Sequence, residues 1–266
     1  MAHAGHDTAS QTAIVAEGVT KRFTGAGNLL ALAGIDLSVR AGEFFSILGP
    51  SGCGKSTFLR CVAGLETITE GRLTLRGETI TATPDRMGMV FQRDALLEWR
   101  SVEDNIRLPL EFRGKDAAEY SAKIDDLLNM TGLDAFRKQL PRELSGGMRQ
   151  RAAICRALVD DPDLLLMDEP FGALDALTRE QMNVELQRIC QTRQNTVLFV
   201  THGIAEAVYL GDRVAVFTPR PGKIAEIIDI NIPHPRPLSV RDTPQFIDYC
   251  HHIRGLFVAM GLLKEQ

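Results

Sequence analysis

FFSILGPSGCGKST, Phe44 to Thr57, is the stretch on which the fold turns. It opens on FFSIL, a short apolar run with the make-up of a strand covered on both faces. From Lys55 the sequence reads as a helix that stops near Gly64. Between the two lies a loop in which Gly49 is followed, after four residues, by Gly54-Lys55-Ser56. Glycines let backbone N–H groups turn inward onto phosphate oxygens, and the helix start adds partial positive charge. The loop Gly49, Pro50, Ser51, Gly52, Cys53, Gly54, Lys55, Ser56, Thr57 therefore suits a nucleoside triphosphate. Lys55 would reach the β- and γ-phosphates, and the Ser56 hydroxyl would coordinate Mg²⁺.

A metal–triphosphate site also needs carboxylates, and LLLMDEP supplies them. Four apolar residues, Leu164 to Met167, read as a buried strand, so Asp168 and Glu169 emerge at its carboxyl end, where α/β sheets place ligands. Asp168 would hold Mg²⁺, and Glu169 stands where a general base could polarise an attacking water. VLFV (Val197 to Val200) and VAVF (Val214 to Phe217) read as further strands, with a long helix through Met182, Leu186 and Ile189 before them. RPGK, Arg220 to Lys223, is a turn into the strand IAEII. Upstream, MGMVFQ (Met87 to Gln92) reads as another buried strand. Ile35, Leu37 and Val39 alternate with polar residues, as do Leu73 and Leu75, which predicts antiparallel strands with one solvated face.

From about residue 93 to 155 the period is helical. Ser101 caps a helix carrying Val102, Ile106 and Leu110, and Asp116 with Glu119 repeats the arrangement ahead of Tyr120, Ile124, Leu127 and Leu128. Within this region LSGGMRQR, Leu144 to Arg151, places Ser145, Gly146 and Gly147 at a helix start with unpaired N–H groups, a second anion-binding end. Spacing alone leaves open whether it serves its own chain's phosphates or those of a facing copy. Past Ile230 the proline-rich IPHPRPL is extended, and Thr243-Pro244 starts a final helix with Phe246, Cys250, Ile253 and Phe257 on one face.

The 266 residues are 44% apolar and 24% charged, the balance of a folded soluble protein, and the net charge of −4 argues against a general nucleic-acid binder. No apolar run approaches the roughly 18 residues of a membrane-spanning helix. The start, MAHAGHDTASQTA, lacks the basic and apolar segments of a secretory signal, so the reading is a cytosolic protein free to dock on a membrane partner. Five cysteines without CxxC spacing fit reduced thiols. Cys53 reads as a small side chain that fits the loop, ahead of a reactive thiol. Residues 1–12 read as a disordered tail in which His3 and His6 are not expected to bind metal.

Taken in order, these segments resemble the nucleotide-binding subunit of an ATP-binding-cassette (ABC) transporter over nearly all of residues 14 to 225. LSGGMRQR resembles the family's signature segment, with Met148 where glutamine is commoner. GPSGCGKST and LLLMDEP resemble its two nucleotide motifs. Phe23, which alone would read as a core aromatic, lies where the family stacks a ring on adenine. Gln92 matches the loop glutamine that senses Mg²⁺ and water, and ALD (Ala173 to Asp175) the loop that crosses between subunits. His202, alone an ordinary polar residue at a strand end, matches the histidine on the γ-phosphate, although Gly203 departs from the aspartate often found next.

The resemblance implies an α/β fold: a P-loop NTPase (RecA-like) core with an antiparallel β subdomain and an inserted α-helical subdomain. These would fill residues 13–230, with 231–266 as a C-terminal extension. It implies ATP and Mg²⁺ as cofactors, the metal on Ser56, Gln92 and Asp168, and hydrolysis through Glu169, His202, Gln92 and Lys55. It further implies a head-to-tail homodimer. Phe23 and the loop from Gly49 to Thr57 of one chain would face Ser145, Gly146, Gly147 and Asp175 of the other across ATP.

DALLEWRSVEDNI and FTPRPGKI resemble the importer branch for nitrate, sulfonates, taurine and related small anions. There the transmembrane permease and an extracytoplasmic solute-binding protein are separate chains, and this subunit would sit on the cytoplasmic face of the bacterial inner membrane. Leu96, Leu97 and Trp99 read either as a docking group for the permease or as internal packing. A soluble ABC ATPase unlinked to transport would carry a coiled coil, tandem cassettes or a basic surface. A small-molecule P-loop kinase would leave LSGGMRQR and His202 without work.

Overall fold

Two hydrophobic periods build two sheets. The computed structural model describes residues 12–263 except Ala26 and Ala173. The expected tail, with His3 and His6, thus lies outside the described residues but for Thr12, which opens the first strand. Strands β1 (Thr12–Phe23) and β2 (Leu29–Arg40) pair antiparallel, with Ile35, Leu37 and Val39 buried and their neighbours Asp36, Ser38 and Arg40 exposed. β3 (Phe44–Leu48) is buried throughout and runs into α1 (Lys55–Val62) through the glycine loop. β4 (Glu70–Leu75) and β5 (Glu78–Thr79) then complete an antiparallel sheet in the order β2-β1-β4-β5.

The second sheet has the order β10-β9-β3-β8-β7-β6. Its members are β3, β6 (Met87–Val90), β7 (Leu164–Asp168), β8 (Thr196–Thr201), β9 (Arg213–Phe217) and β10 (Ile224–Asp229), parallel except for the β9–β10 pair. Successive side chains of a strand point to opposite faces. Accordingly Phe45 and Ile47 pack with α1 and the antiparallel sheet, while Phe44 and Leu48 face the helices. β6 is the edge strand: the buried strand read from MGMVFQ is buried at Gly88 and Val90, while Met87 and Met89 are only partly buried.

From β6 to β7 the chain is helical: α2 (Val102–Phe112), α3 (Ser121–Met130) and α4 (Gly146–Leu158), with short 3₁₀ turns between them. Ser101 Oγ accepts the Asp104 N–H at 3.1 Å and caps α2. Asp116 caps a 3₁₀ turn, Ala117–Tyr120, rather than α3 itself, which starts one turn later than its pattern suggests. Leu96, Leu97 and Trp99 differ in exposure. Leu96 is buried and belongs to internal packing, whereas the Trp99 ring is 75% exposed, as is most of Phe112.

α5 (Ala176–Arg193) and α6 (Ile204–Leu210) lead into and out of β8, and α7 (Pro244–Ala259) closes the described chain, capped by Thr243. Phe246, Ile253 and Phe257 of α7 are buried, with Cys250 partly so. The stretch before α7 hides a residue that its sequence does not advertise. Arg236 is 1% exposed, and its guanidinium donates to the carbonyls of Val208, Tyr209, Gly211, Ile230 and Ile232. Burial pushes it down to about 10. No helix among the described residues is long and apolar enough to cross a membrane.

Candidate active site

Backbone conformation makes the glycine loop. Gly54 sits at φ 111°, in the left-handed region, and a Cβ there would lie 2.8 Å from the Ala31 carbonyl oxygen. Only glycine fits, and its conformation turns the chain into α1. Lys55 is buried at the first position of that helix and donates to Gly49 O at 2.8 Å and Pro50 O at 2.9 Å. Cys53 is buried against the same loop, and burial pushes its thiol up, so it packs and is not a poised nucleophile.

The loop is braced from outside by the RPGK turn. Arg220 donates to Gly52 O through Nη2 at 2.9 Å and Nε at 3.0 Å. A Cβ on Gly222 would lie 2.2 Å from Cys53 O, because the backbone there pairs with Ala31 and Ala33. From sequence RPGK reads only as a turn, because nothing local in it names a partner so far upstream.

β7 delivers the carboxylates beside the loop. Ser56 Oγ donates to Asp168 Oδ1 at 2.7 Å. Burial pushes Asp168 up, the Glu169 charge adds to the effect, and the Ser56 hydrogen bond opposes it. Among the described residues no cluster of three or more His, Cys, Asp or Glu side chains could cage a metal. One hydroxyl and one buried carboxylate are hard oxygen donors suited to a divalent cation that shares its shell with phosphates.

Glu169 is where the remaining groups meet. Its backbone has φ 46°, a strained conformation for a non-glycine residue, which aims the side chain off the end of β7. Oε1 lies 3.8 Å from Lys55 Nζ, and Oε2 lies 3.2 Å from His202 Nδ1 and 3.4 Å from Gln92 Nε2. Three strand ends, those of β6, β7 and β8, thus converge on one carboxylate. Gln92 contacts Glu169 rather than the Ser56–Asp168 pair. Phe23 ends β1, partly buried, with Lys21 Nζ 4.7 Å from its ring centre.

The second glycine segment stands apart. Ser145 caps α4, its Oγ accepting the Met148 N–H at 3.3 Å, and Asp175 caps α5 through the Thr178 N–H at 3.0 Å. Ser145, Gly146, Gly147 and Asp175 line one cleft of about 700 Å³, while Glu169 and His202 line another of about 270 Å³. Among the described residues no hydrogen bond or ion pair joins Ser145, Gly146 or Gly147 to the Gly49–Thr57 loop or to Asp168 and Glu169. Ala173, the first residue of the crossing loop, lies outside the described residues.

Similarity to known proteins points the same way. A family model for the ABC transporter matches residues 32–172. An uncharacterized ABC transporter ATP-binding protein of Methanocaldococcus jannaschii is 45% identical over 251 residues, which is 94% of this chain and 91% of the relative. A taurine import ATP-binding protein of Jannaschia sp. is 43% identical over 215 residues, 80% of either chain. A solved dimeric structure of an ATP-binding cassette, in a post-hydrolysis state bound to ADP and Pi, aligns with a TM-score of 0.73. It is 32% identical to this chain and covers 82% of it, with 99% of its own length matched.

Proposed function

The chain belongs to the ABC transporter family, and on that premise we propose that it is the ATP-hydrolysing subunit of an importer for small anions. The substrate class is that of taurine, other sulfonates, nitrate and similar solutes. It passes through a separate transmembrane permease, loaded by an extracytoplasmic solute-binding protein, while this subunit works as a homodimer on the cytoplasmic face. One observation carries the reading. Ser145, Gly146 and Gly147 line one cleft, while Glu169, which meets Lys55 of the phosphate loop, lines another with His202, and this separation supports a second copy, placed head to tail, closing each site on one triphosphate.

In each composite site the backbone N–H groups from Gly49 to Thr57 and the Lys55 ammonium hold the β- and γ-phosphates. Phe23 offers its ring to the adenine. Ser56 and Asp168, with Gln92 nearby, would hold Mg²⁺, which when bound would supply neutralisation of phosphate charge. Glu169 takes the proton of a water that attacks the γ-phosphorus, and ADP departs with its own phosphates. His202, on the same carboxylate oxygen as Gln92, faces the γ-phosphate and registers its loss. From the facing chain, Ser145, Gly146 and Gly147 close over the γ-phosphate, and Asp175 meets its counterpart across the interface. Cleavage removes the charge that both halves grip, so the dimer opens and the permease is reset.

Mixing two inactive chains tests this. Ser145→Arg spoils one half-site and Lys55→Ala the other, so mixed dimers should regain one working site and roughly half the wild-type rate per dimer. Verified mixed dimers that stay as inactive as either parent would overturn the shared site.

A further inference from the structure

We propose that Glu206, acting through Thr201, is a positioning residue that holds His202 against Glu169. The inference rests on the reading of His202 given above. His202 lies on the short link between β8 and α6 and is half-exposed, and its ring bonds only Glu169 Oε2 among the described residues. An exposed imidazole on a link of that kind stays in place only if its backbone does. Gly203, the next residue and the N-cap of α6, has no side chain with which to cap the helix. The restraint comes from either side. Thr201 Oγ1 accepts the Gly203 N–H at 3.0 Å, a bracket that spans His202, and gives its own proton to Glu206 Oε2. Glu206 itself is fixed three residues into α6, so it ties the bracket to the helix.

The cost of keeping that carboxylate argues for its role. Burial pushes Glu206 up, against the Thr201 hydrogen bond and the charges of Arg179 and Arg241, and its second oxygen is buried without a hydrogen bond. A side chain that made only packing contacts would be better apolar there. A small displacement of a group that touches reacting phosphates costs about 10- to 100-fold in rate, which is the effect a lost bracket should have.

The test is ATP hydrolysis by the full-length chain with variants on both sides of the bond. Glu206→Ala and Thr201→Val should each lower kcat about tenfold with KM for ATP within about twofold, while Glu206→Gln and Thr201→Ser retain at least about half of wild-type kcat. In a His202→Ala background, adding Glu206→Ala should change kcat less than about twofold, because no ring remains to be placed. Wild-type kcat in Glu206→Ala or Thr201→Val, failure of the conservative variants to rescue, or full additivity with His202→Ala would overturn the proposal. Should Glu206→Ala fail to fold, Thr201→Val against Thr201→Ser decides. If His202→Ala alone hydrolyses at the wild-type rate, the reading of His202 itself falls, an outcome distinct from a loss confined to the bracket.

Discussion

Asp168 and Glu169 are neighbours with opposite burdens. Glu169 is placed by a strained backbone to meet three partners, whereas Asp168 is buried with one hydroxyl. A carboxyl whose folded value is raised above the ordinary 3.8 stabilises the fold fully only below that value. The contribution is lost as pH rises through the raised value, so at neutral pH ionised Asp168 weakens the fold. In metal-free buffer, Asp168→Asn should therefore raise the thermal midpoint at pH 7, with the gain shrinking as pH falls toward 4, and should abolish hydrolysis. A lower midpoint at pH 7 would contradict the burial argument. The residues of this site differed in how visible they were beforehand. Lys55, Ser56, Asp168 and Glu169 announce themselves because each motif is contiguous and follows an apolar strand. Gln92 and His202 became legible only through the family resemblance. Glu206 was not legible at all, since its meaning lies in hydrogen bonds to a neighbouring turn.

At the scale of elements, the phosphate loop depends on a turn that is remote in sequence. Gly222 lets that turn lie against Cys53 O, where a methyl group would be 2.2 Å from the oxygen. Gly222→Ala should push the loop outward and weaken ATP binding about tenfold or more, with a modest loss of stability of about 1–3 kcal/mol. Calorimetric titration with ATP, set beside denaturant unfolding, checks both; unchanged affinity would dismiss the brace. Periodicity recovered most strands and helices because hydrophobic burial imposes it directly. It fell short where a neighbour decides the outcome: β6 reads as buried but has a partner on one side only, and Asp116 spends its cap on a 3₁₀ turn. Leu96 and Trp99 are alike in composition and opposite in exposure, which no local pattern distinguishes.

For the molecule as a whole, the proposed head-to-tail site, with its two glycine-bearing ends on different chains, would make turnover a property of pairs. Specific activity at saturating ATP should rise with protein concentration and level off once dimers dominate, with catalytic rate below that range falling in proportion to dilution. Activity per chain that stays constant through dilution, alongside light scattering that reports monomers, would refute the paired site. Arg236 bears on how the chain could be shortened. A cut after residue 230 would look harmless on paper, since every nucleotide motif lies upstream. Yet it would withdraw the cation that gathers the carbonyls of Val208, Tyr209 and Gly211 at the far end of α6, whose near end adjoins His202. The final segment is thus a keystone set from outside: trimming it for convenience would loosen the very arch it seems merely to adorn.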